Sequence, residues 1–161
     1  MTPLLLAVES GKLDTVQCIV ELGGYVAYYN HDNLGVVEIA ALKEFYHIVE
    51  YFIELNHEEL PVWQKLLKMV SVEQDDHAEA AGAILKRLTK RNEEEDKINP
   101  NWEPMVANDC VPVLMKVIKS EHKSEKAKIY AFRVILNIIE MQVGNVTKLP
   151  PIPYQFSYEY G

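Results

Sequence analysis

Histidines are the side chains of this chain that most readily bind metals or transfer protons near neutral pH. The five are His31, His47, His57, His77 and His122. No two are three or four residues apart, the spacing that places two ligands on one face of a helix. His57 opens a His-Glu-Glu-Leu run, but no second histidine completes a zinc-protease motif. The spacing therefore predicts no metal site.

The thiols and hydroxyls offer no better candidate for nucleophilic catalysis. Cys18 and Cys110 are the only cysteines, and they form no pair motif, which argues against a disulfide framework. Both lie among apolar neighbours at helical positions, so we expect packed, unreactive thiols. No glycine-rich phosphate loop occurs, and no serine, histidine and acid are spaced as a recognisable triad. We predict no catalytic residue and no cofactor, with an enzyme as a remote alternative.

Composition and charge restrict the function further. The 161 residues suffice for about one domain, and 48% hydrophobic with 25% charged residues is typical of a folded globular chain. The net charge of −8 argues against nucleic acid as a partner, because phosphate binding needs surplus lysine and arginine. Residues 1–56 carry two basic and eight acidic side chains, which favours a basic ligand for this part of the chain.

The sequence shows no sign of a targeting or membrane segment. No basic-then-apolar leader opens it, and no apolar run reaches the roughly 20 residues that span a bilayer. We therefore expect an intracellular, cytoplasmic protein without a membrane span.

An internal repeat with a period of 33 residues covers the first 56 residues. It superimposes Leu4 on Val37, Ala7 on Ala40, Val16 on Val49 and Leu22 on Leu55. Each copy predicts a short helix, a tight turn and a second amphipathic helix. The first copy, Thr2-Pro3-Leu4-Leu5-Leu6-Ala7 with Gly11 and Gly23, resembles an ankyrin repeat. Thr2 is expected to cap the first helix, and both glycines to end helices with positive φ.

A second repeat, with a period of 51 residues, covers the later part of the chain. It superimposes Pro61-Val62 on Pro112-Val113 and Ile84-Leu85 on Ile135-Leu136. Each copy predicts two helices, at 61–70 and 78–89 and again at 110–119 and 126–141, with a further short helix at 102–108. The three-helix unit from Trp102 onward is similar to an armadillo repeat, and an acidic insertion before it, at 91–99, lengthens the period beyond that of the family.

The resemblance to proteins that combine ankyrin and armadillo repeats implies an all-α fold, an α-solenoid of stacked helical hairpins that are first ankyrin-like and then armadillo-like. We interpret the chain as a fragment or short form of such a protein. The organisation predicts two ankyrin-like repeats at 1–56, an armadillo-like unit at 57–90, an acidic flexible loop at 91–100, an armadillo-like repeat at 101–143 and a proline- and tyrosine-rich tail at 144–161.

The resemblance also nominates Asn137, Lys86 and Trp102 as partner-binding residues. In armadillo proteins an asparagine at the place of Asn137 contacts peptide backbone in the concave groove, since its amide both donates and accepts. Lys86 occupies the matching place in the preceding unit, and Trp102 is a candidate aromatic anchor. The alternatives are that Asn137 bonds within its own array and that Trp102 fills the core.

We predict a non-catalytic scaffold that binds a protein or peptide, and no nucleic acid, on the concave surface of the solenoid. The alternative is an incomplete fragment or splice form without independent activity, which associates through uncapped ends.

Overall fold

A computed structural model describes residues 1–90 and 102–147. The described residues form helices and connecting turns, without a strand, as the predicted all-α solenoid requires. In chain order the helices are α1 (Pro3–Ser10), α2 (Leu13–Glu21), α3 (Val36–Leu42), α4 (Tyr46–Leu55), α5 (Val62–Val70), α6 (Asp75–Thr89), α7 (Trp102–Ala107), α8 (Cys110–Lys119) and α9 (Glu125–Thr147).

The first helical hairpin, α1 and α2, begins and ends where its residue types predict. The Thr2 hydroxyl oxygen accepts a hydrogen bond from the Leu5 backbone N–H at 3.2 Å, which confirms the N-cap. Gly11 ends α1 with a φ of 76° and Gly23 follows α2 with a φ of 93°. Both lie in the left-handed region that a residue without a Cβ adopts freely.

The second hairpin, α3 and α4, begins without the threonine cap of the first. Glu38, in the first turn of α3, replaces it because its carboxylate accepts a hydrogen bond from the Gly35 backbone N–H at 3.0 Å. The turn before α3 is closed by Asn30, whose side-chain oxygen accepts from the backbone N–H groups of Asp32 and Leu34. Asn33 has a φ of 61°, as expected of an asparagine in a tight turn.

The later helices follow the 51-residue repeat, with two differences in their bounds. Helix α6 begins at Asp75 rather than at Ala78, because Asp75 and Asp76 are favourable in the first turn of a helix. Helix α9 extends to Thr147, so it runs through the predicted boundary between residues 143 and 144. The predicted loop at 91–100 and residues 148–161 of the predicted tail lie outside the described residues.

The helices stack in two rows, and each hairpin contributes one helix to each row. We call α1, α3, α6 and α9 the first row, and α2, α4, α5 and α8 the second row. Each helix contacts the next one in its row, and the pairs α1 and α2, α3 and α4, α5 and α6, and α8 and α9 pack together. Short α7 contacts α8 and α9. This regular translation is the defining feature of a solenoid.

One apolar core runs between the two rows through the junction of the two repeat types. Helix α3 of the ankyrin-like part contacts both α5 and α6 of the armadillo-like part. Ala40 in α3, Phe52 in α4 and Leu85 in α6 are completely buried in this core. The two halves therefore share one hydrophobic core and we expect them to unfold together. Within residues 1–90 and 102–147, no helix has the length and apolar character needed to cross a membrane.

Candidate functional site

Two of the three predicted partner-binding residues meet in the interface between α6 and α9. Asn137 is 3% exposed, and its amide nitrogen donates to the Lys86 carbonyl oxygen at 3.3 Å and to the Thr89 hydroxyl oxygen at 3.2 Å. The Asn137 side chain is thus used within the array, which is the alternative that the sequence left open. These two hydrogen bonds tie α9 to α6. The 51-residue repeat aligns Asn137 with Lys86, whose carbonyl oxygen accepts one of them.

Lys86 itself remains exposed beside this interface. Its ammonium group lies 5.6 Å from the centre of the Tyr130 ring, in a cation–π contact. Tyr130 approaches α6 so closely that a Cβ added to Gly82 would stand only 2.8 Å from the Tyr130 Cβ. Trp102 begins α7, but its side chain lies outside the described residues. Of the three candidates, Lys86 is the one that the structure shows on the surface.

A groove between the two repeat types offers a larger binding surface than Asn137, Lys86 and Trp102 do. The turn before α3, the start of α3, helix α5 and the start of α6 enclose a volume of about 400 Å³. Its lining includes both charged signs and an aromatic ring, with Tyr29, Asp32, Glu38, Lys65, Lys68 and His77 among the polar members. We call this surface the junction groove. Its mixture of one aromatic ring with converging polar groups is typical of a recognition site.

Lys65 is held in the junction groove by groups from two other elements. Its ammonium group donates a hydrogen bond to the Tyr29 hydroxyl at 2.6 Å and lies 4.9 Å from the centre of the same ring. A Glu38 carboxylate oxygen lies 3.8 Å from the same ammonium group. These contacts fix a lysine side chain that otherwise has many rotamers, so the entropy cost of ordering it on binding is reduced.

Three exposed tyrosines line the segment that leads into the junction groove. Tyr25, Tyr28 and Tyr29 are each about half exposed, and the Tyr25 and Tyr28 rings meet edge to face with centroids 4.8 Å apart. A hydrogen bond to the exposed Glu59 carboxylate raises the pKa of Tyr25. Tyrosine is enriched at the centres of protein interfaces, because it offers a large rigid surface with a polar end.

The sequence patterns did not indicate the junction groove or its tyrosines. One signal was present, namely three tyrosines within the five residues 25–29, in a segment too short to be a core helix. Tyr29 contacts Lys65, which is 36 residues away, and Lys65 in turn contacts Glu38. Because no repeat pattern connects these positions, only the packed structure brings them together.

The two cysteines differ in exposure, and the structure supports the expectation of an unreactive thiol only for Cys110. Cys110 is completely buried, and burial raises the pKa of its thiol to about 11, which leaves the protonated form at neutral pH. Cys18 is exposed on α2, so the prediction that it packs among apolar neighbours is wrong. The reason is that α2 is amphipathic, and Cys18 falls on its solvent face while Val16 is buried.

The residues that the structure describes contain no cluster of three or more histidine, cysteine or acidic side chains that could hold a metal ion.

The two thiols should differ sharply in reactivity. In the native protein we expect one fast-reacting thiol per chain toward a disulfide reagent such as Ellman's reagent, and two after unfolding, because access controls the reaction of Cys110. Cys18→Ser should remove the fast phase and leave the slow one unchanged. A fast thiol that persists in native Cys18→Ser would contradict the burial of Cys110.

Comparisons with known proteins identify relatives of this chain. Over 119 residues, which is 74% of the chain, it is 30% identical to the ankyrin and armadillo repeat-containing protein of Mus musculus and 29% identical to that of Homo sapiens. The match spans 8% of the length of each relative. No protein-family model and no solved structure matches the chain. The similarity confirms the predicted relationship to proteins that combine the two repeat types.

Proposed function

We propose, because the chain is related to ankyrin and armadillo repeat-containing proteins, that it is a non-catalytic scaffold that binds a protein or peptide. The binding surface is the junction groove together with the tyrosines at its entrance and, farther along the first row, Lys86. Surface side chains of a solenoid can contact a ligand without weakening the core, and the junction groove is lined by helices of both rows. The observation that carries the proposal is the arrangement of Tyr29, Lys65 and Glu38 in this groove.

The ankyrin-like wall of the junction groove favours an extended peptide segment with basic side chains, whereas the wall formed by α5 carries Lys65 and Lys68. Asp32 is exposed at the rim of the groove, and the ankyrin-like part that forms one wall has a surplus of acidic residues. Lysine or arginine side chains of a ligand gain electrostatic attraction from this wall. The exposed Tyr28 ring offers a surface for their aliphatic or guanidinium groups.

A non-catalytic role agrees with the state of the Cys110 thiol, which is buried and protonated. The polar groups of the junction groove pair with one another rather than activating a nucleophile, since Lys65 contacts both a phenol and a carboxylate. These side chains suit recognition better than bond cleavage.

Affinity capture with the immobilised 161-residue chain tests the proposal. The same extract is passed over the parent chain, over a Tyr28→Ala/Tyr29→Ala double variant and over Leu22→Ala, which removes an 81% exposed apolar side chain outside the groove. We expect a protein that binds the parent and Leu22→Ala alike, and that the double variant binds at least about tenfold more weakly. Raising the salt concentration should weaken the binding, because the attraction is partly electrostatic.

Two results would contradict the proposal. Equal binding to the double variant would remove the junction groove as the site, provided that circular dichroism shows the variant folded. Failure of the folded parent to retain any protein specifically would favour the alternative, a form without independent activity.

A further inference from the structure

Helix α9 carries an exposed apolar stripe on the side that faces away from the core. Its members are Ile129, Phe132, Leu136, Ile139 and Val143. Four of them are 48% to 62% exposed, and Leu136 is half-buried. The spacing alternates between three and four residues, which is the pattern of a helix that pairs with another helix along a seam. We call this set the α9 stripe, and from its first to its last residue it is about 21 Å long.

The 51-residue repeat shows that the positions of the α9 stripe are buried in the preceding unit. One unit earlier, 51 residues back, the first four members of the α9 stripe correspond to Ala78, Ala81, Leu85 and Leu88 of α6. All four are buried in α6, which packs against α3, α5 and α9. The same helix face is therefore covered in one unit and uncovered in the next. Four exposed large apolar side chains in one line form a patch that marks an interaction site.

The side chains of the α9 stripe leave no room for a further helix that packs on α9 in the way that α9 packs on α6. On α6, Gly82 leaves room for Tyr130, since a Cβ added to Gly82 would stand 2.8 Å from the Tyr130 Cβ. At the place of Gly82, α9 has Arg133, and Ile129 and Phe132 replace the two alanines of α6 that the repeat aligns with them. These bulky groups occupy the space that such a helix would need. The partner must match the α9 stripe in a different register.

We propose that the α9 stripe is a dimer interface, and that its occupant is α9 of a second copy of this chain in antiparallel orientation. The stripe is self-complementary when a two-fold axis passes between residues 137 and 138. That axis places Leu136 opposite Ile139 of the second copy and Phe132 opposite Val143 of the second copy. Each copy then covers Phe132, Leu136, Ile139 and Val143 of the other.

Charge at the edge of the stripe supports this register. Arg133 and Glu140 are exposed seven residues apart along one edge of the α9 stripe. The two-fold axis places each Arg133 near Glu140 of the second copy, so the dimer contains two opposite-charge pairs.

Charge also disfavours the other ways of pairing the two helices. The antiparallel register shifted by one heptad brings Arg133 next to Arg133 of the second copy. Parallel pairing brings Lys128, on the opposite edge of the stripe, next to Arg133 of the second copy. Each of these arrangements sets like charges against each other.

The proposed dimer does not depend on the partner of the junction groove, because none of the α9 residues named here lines that groove.

Sedimentation velocity of the full 161-residue chain tests the dimer. We expect the parent to dimerise reversibly in the micromolar range, roughly 1 to 50 μM, and Phe132→Glu to remain a monomer because it places a carboxylate in the seam. Arg133→Glu alone and Glu140→Arg alone should each weaken dimerisation by about tenfold or more, since each sets like charges opposite each other twice. Lys43→Glu, the same charge reversal at an exposed residue after α3, should leave the dimer unchanged.

Mixing the two charge variants gives the decisive measurement. In a mixed dimer of R133E with E140R, the introduced carboxylate of one chain faces the introduced guanidinium of the other, and the unchanged pair also has opposite charges. We therefore expect the mixture to dimerise about as tightly as the parent. A parent that stays monomeric up to about 100 μM overturns the proposal, whether another segment or another protein covers the stripe. Failure of the mixture to recover dimerisation, with both variants folded by circular dichroism, overturns the antiparallel arrangement.

Discussion

Ala40→Asp should lower the free energy of unfolding of the whole chain by about 3 to 5 kcal/mol, because it places an unpaired carboxylate in the core. Ala40 lies in α3 and is completely buried. Helix α3 contacts α1, α4, α5 and α6, so no neighbouring element can move aside to admit water without losing contacts of its own. Thermal unfolding followed by circular dichroism should show a fall in Tm of roughly 10 °C.

A matched control separates burial from the introduction of a charge. Ala107→Asp makes the same substitution at an exposed alanine, at the end of α7. It should change the free energy of unfolding by less than about 1 kcal/mol. If Ala40→Asp melted like Ala107→Asp, the core that joins the two repeat types would not exist as described.

Leu85→Ala should cost about 2 to 5 kcal/mol, because it removes buried methyl groups and leaves a cavity between α6 and its neighbours. Leu85 is completely buried and belongs to the core that contains Ala40. Chemical denaturation measures the loss, followed by circular dichroism for all helices and by the fluorescence of Trp63 and Trp102 for the armadillo-like part. The two signals should change together in the parent and in the variant, because both halves share one core.

Leu22→Ala is the corresponding control for Leu85→Ala. Leu22 follows α2 and is 81% exposed, so truncating it should change stability by less than about 0.5 kcal/mol. Two separate transitions in the parent, with only one of them shifted by Leu85→Ala, would show that the ankyrin-like and armadillo-like parts unfold independently. That outcome would contradict the shared core.

Local signals in the sequence predicted the helices well. The Thr2 cap, the positive φ of Gly11 and the turn at Asn33 depend on residues only a few positions apart. The 51-residue repeat predicted α5 and α8 to within one residue of their observed bounds. It failed at the start of α6 and the end of α9, because the ends of a helix depend on individual side chains and on what packs beyond them.

The partner-binding residues stay a prediction, and the structure adds where their side chains lie. The resemblance placed Asn137 and Lys86 on a partner-binding surface, and the structure places the Asn137 amide inside the α6–α9 interface. A periodic pattern assigns a residue to a face of its helix, but it does not say which neighbouring helix covers that face. The contact between Lys65 and Tyr29 joins residues 36 positions apart, so no local pattern could have indicated it.

The amino-acid sequence by itself determined that this chain forms stacked helical hairpins of two kinds, because caps, glycines and apolar periodicity act over one or two helical turns. Tertiary structure alone decided which equivalent faces are covered. Leu85 and Leu136 occupy the same place in their units, yet the first is completely buried and the second is half-buried. The physical reason is that a side chain is buried only where a second surface packs over it, and the sequence of one helix encodes only its own surface.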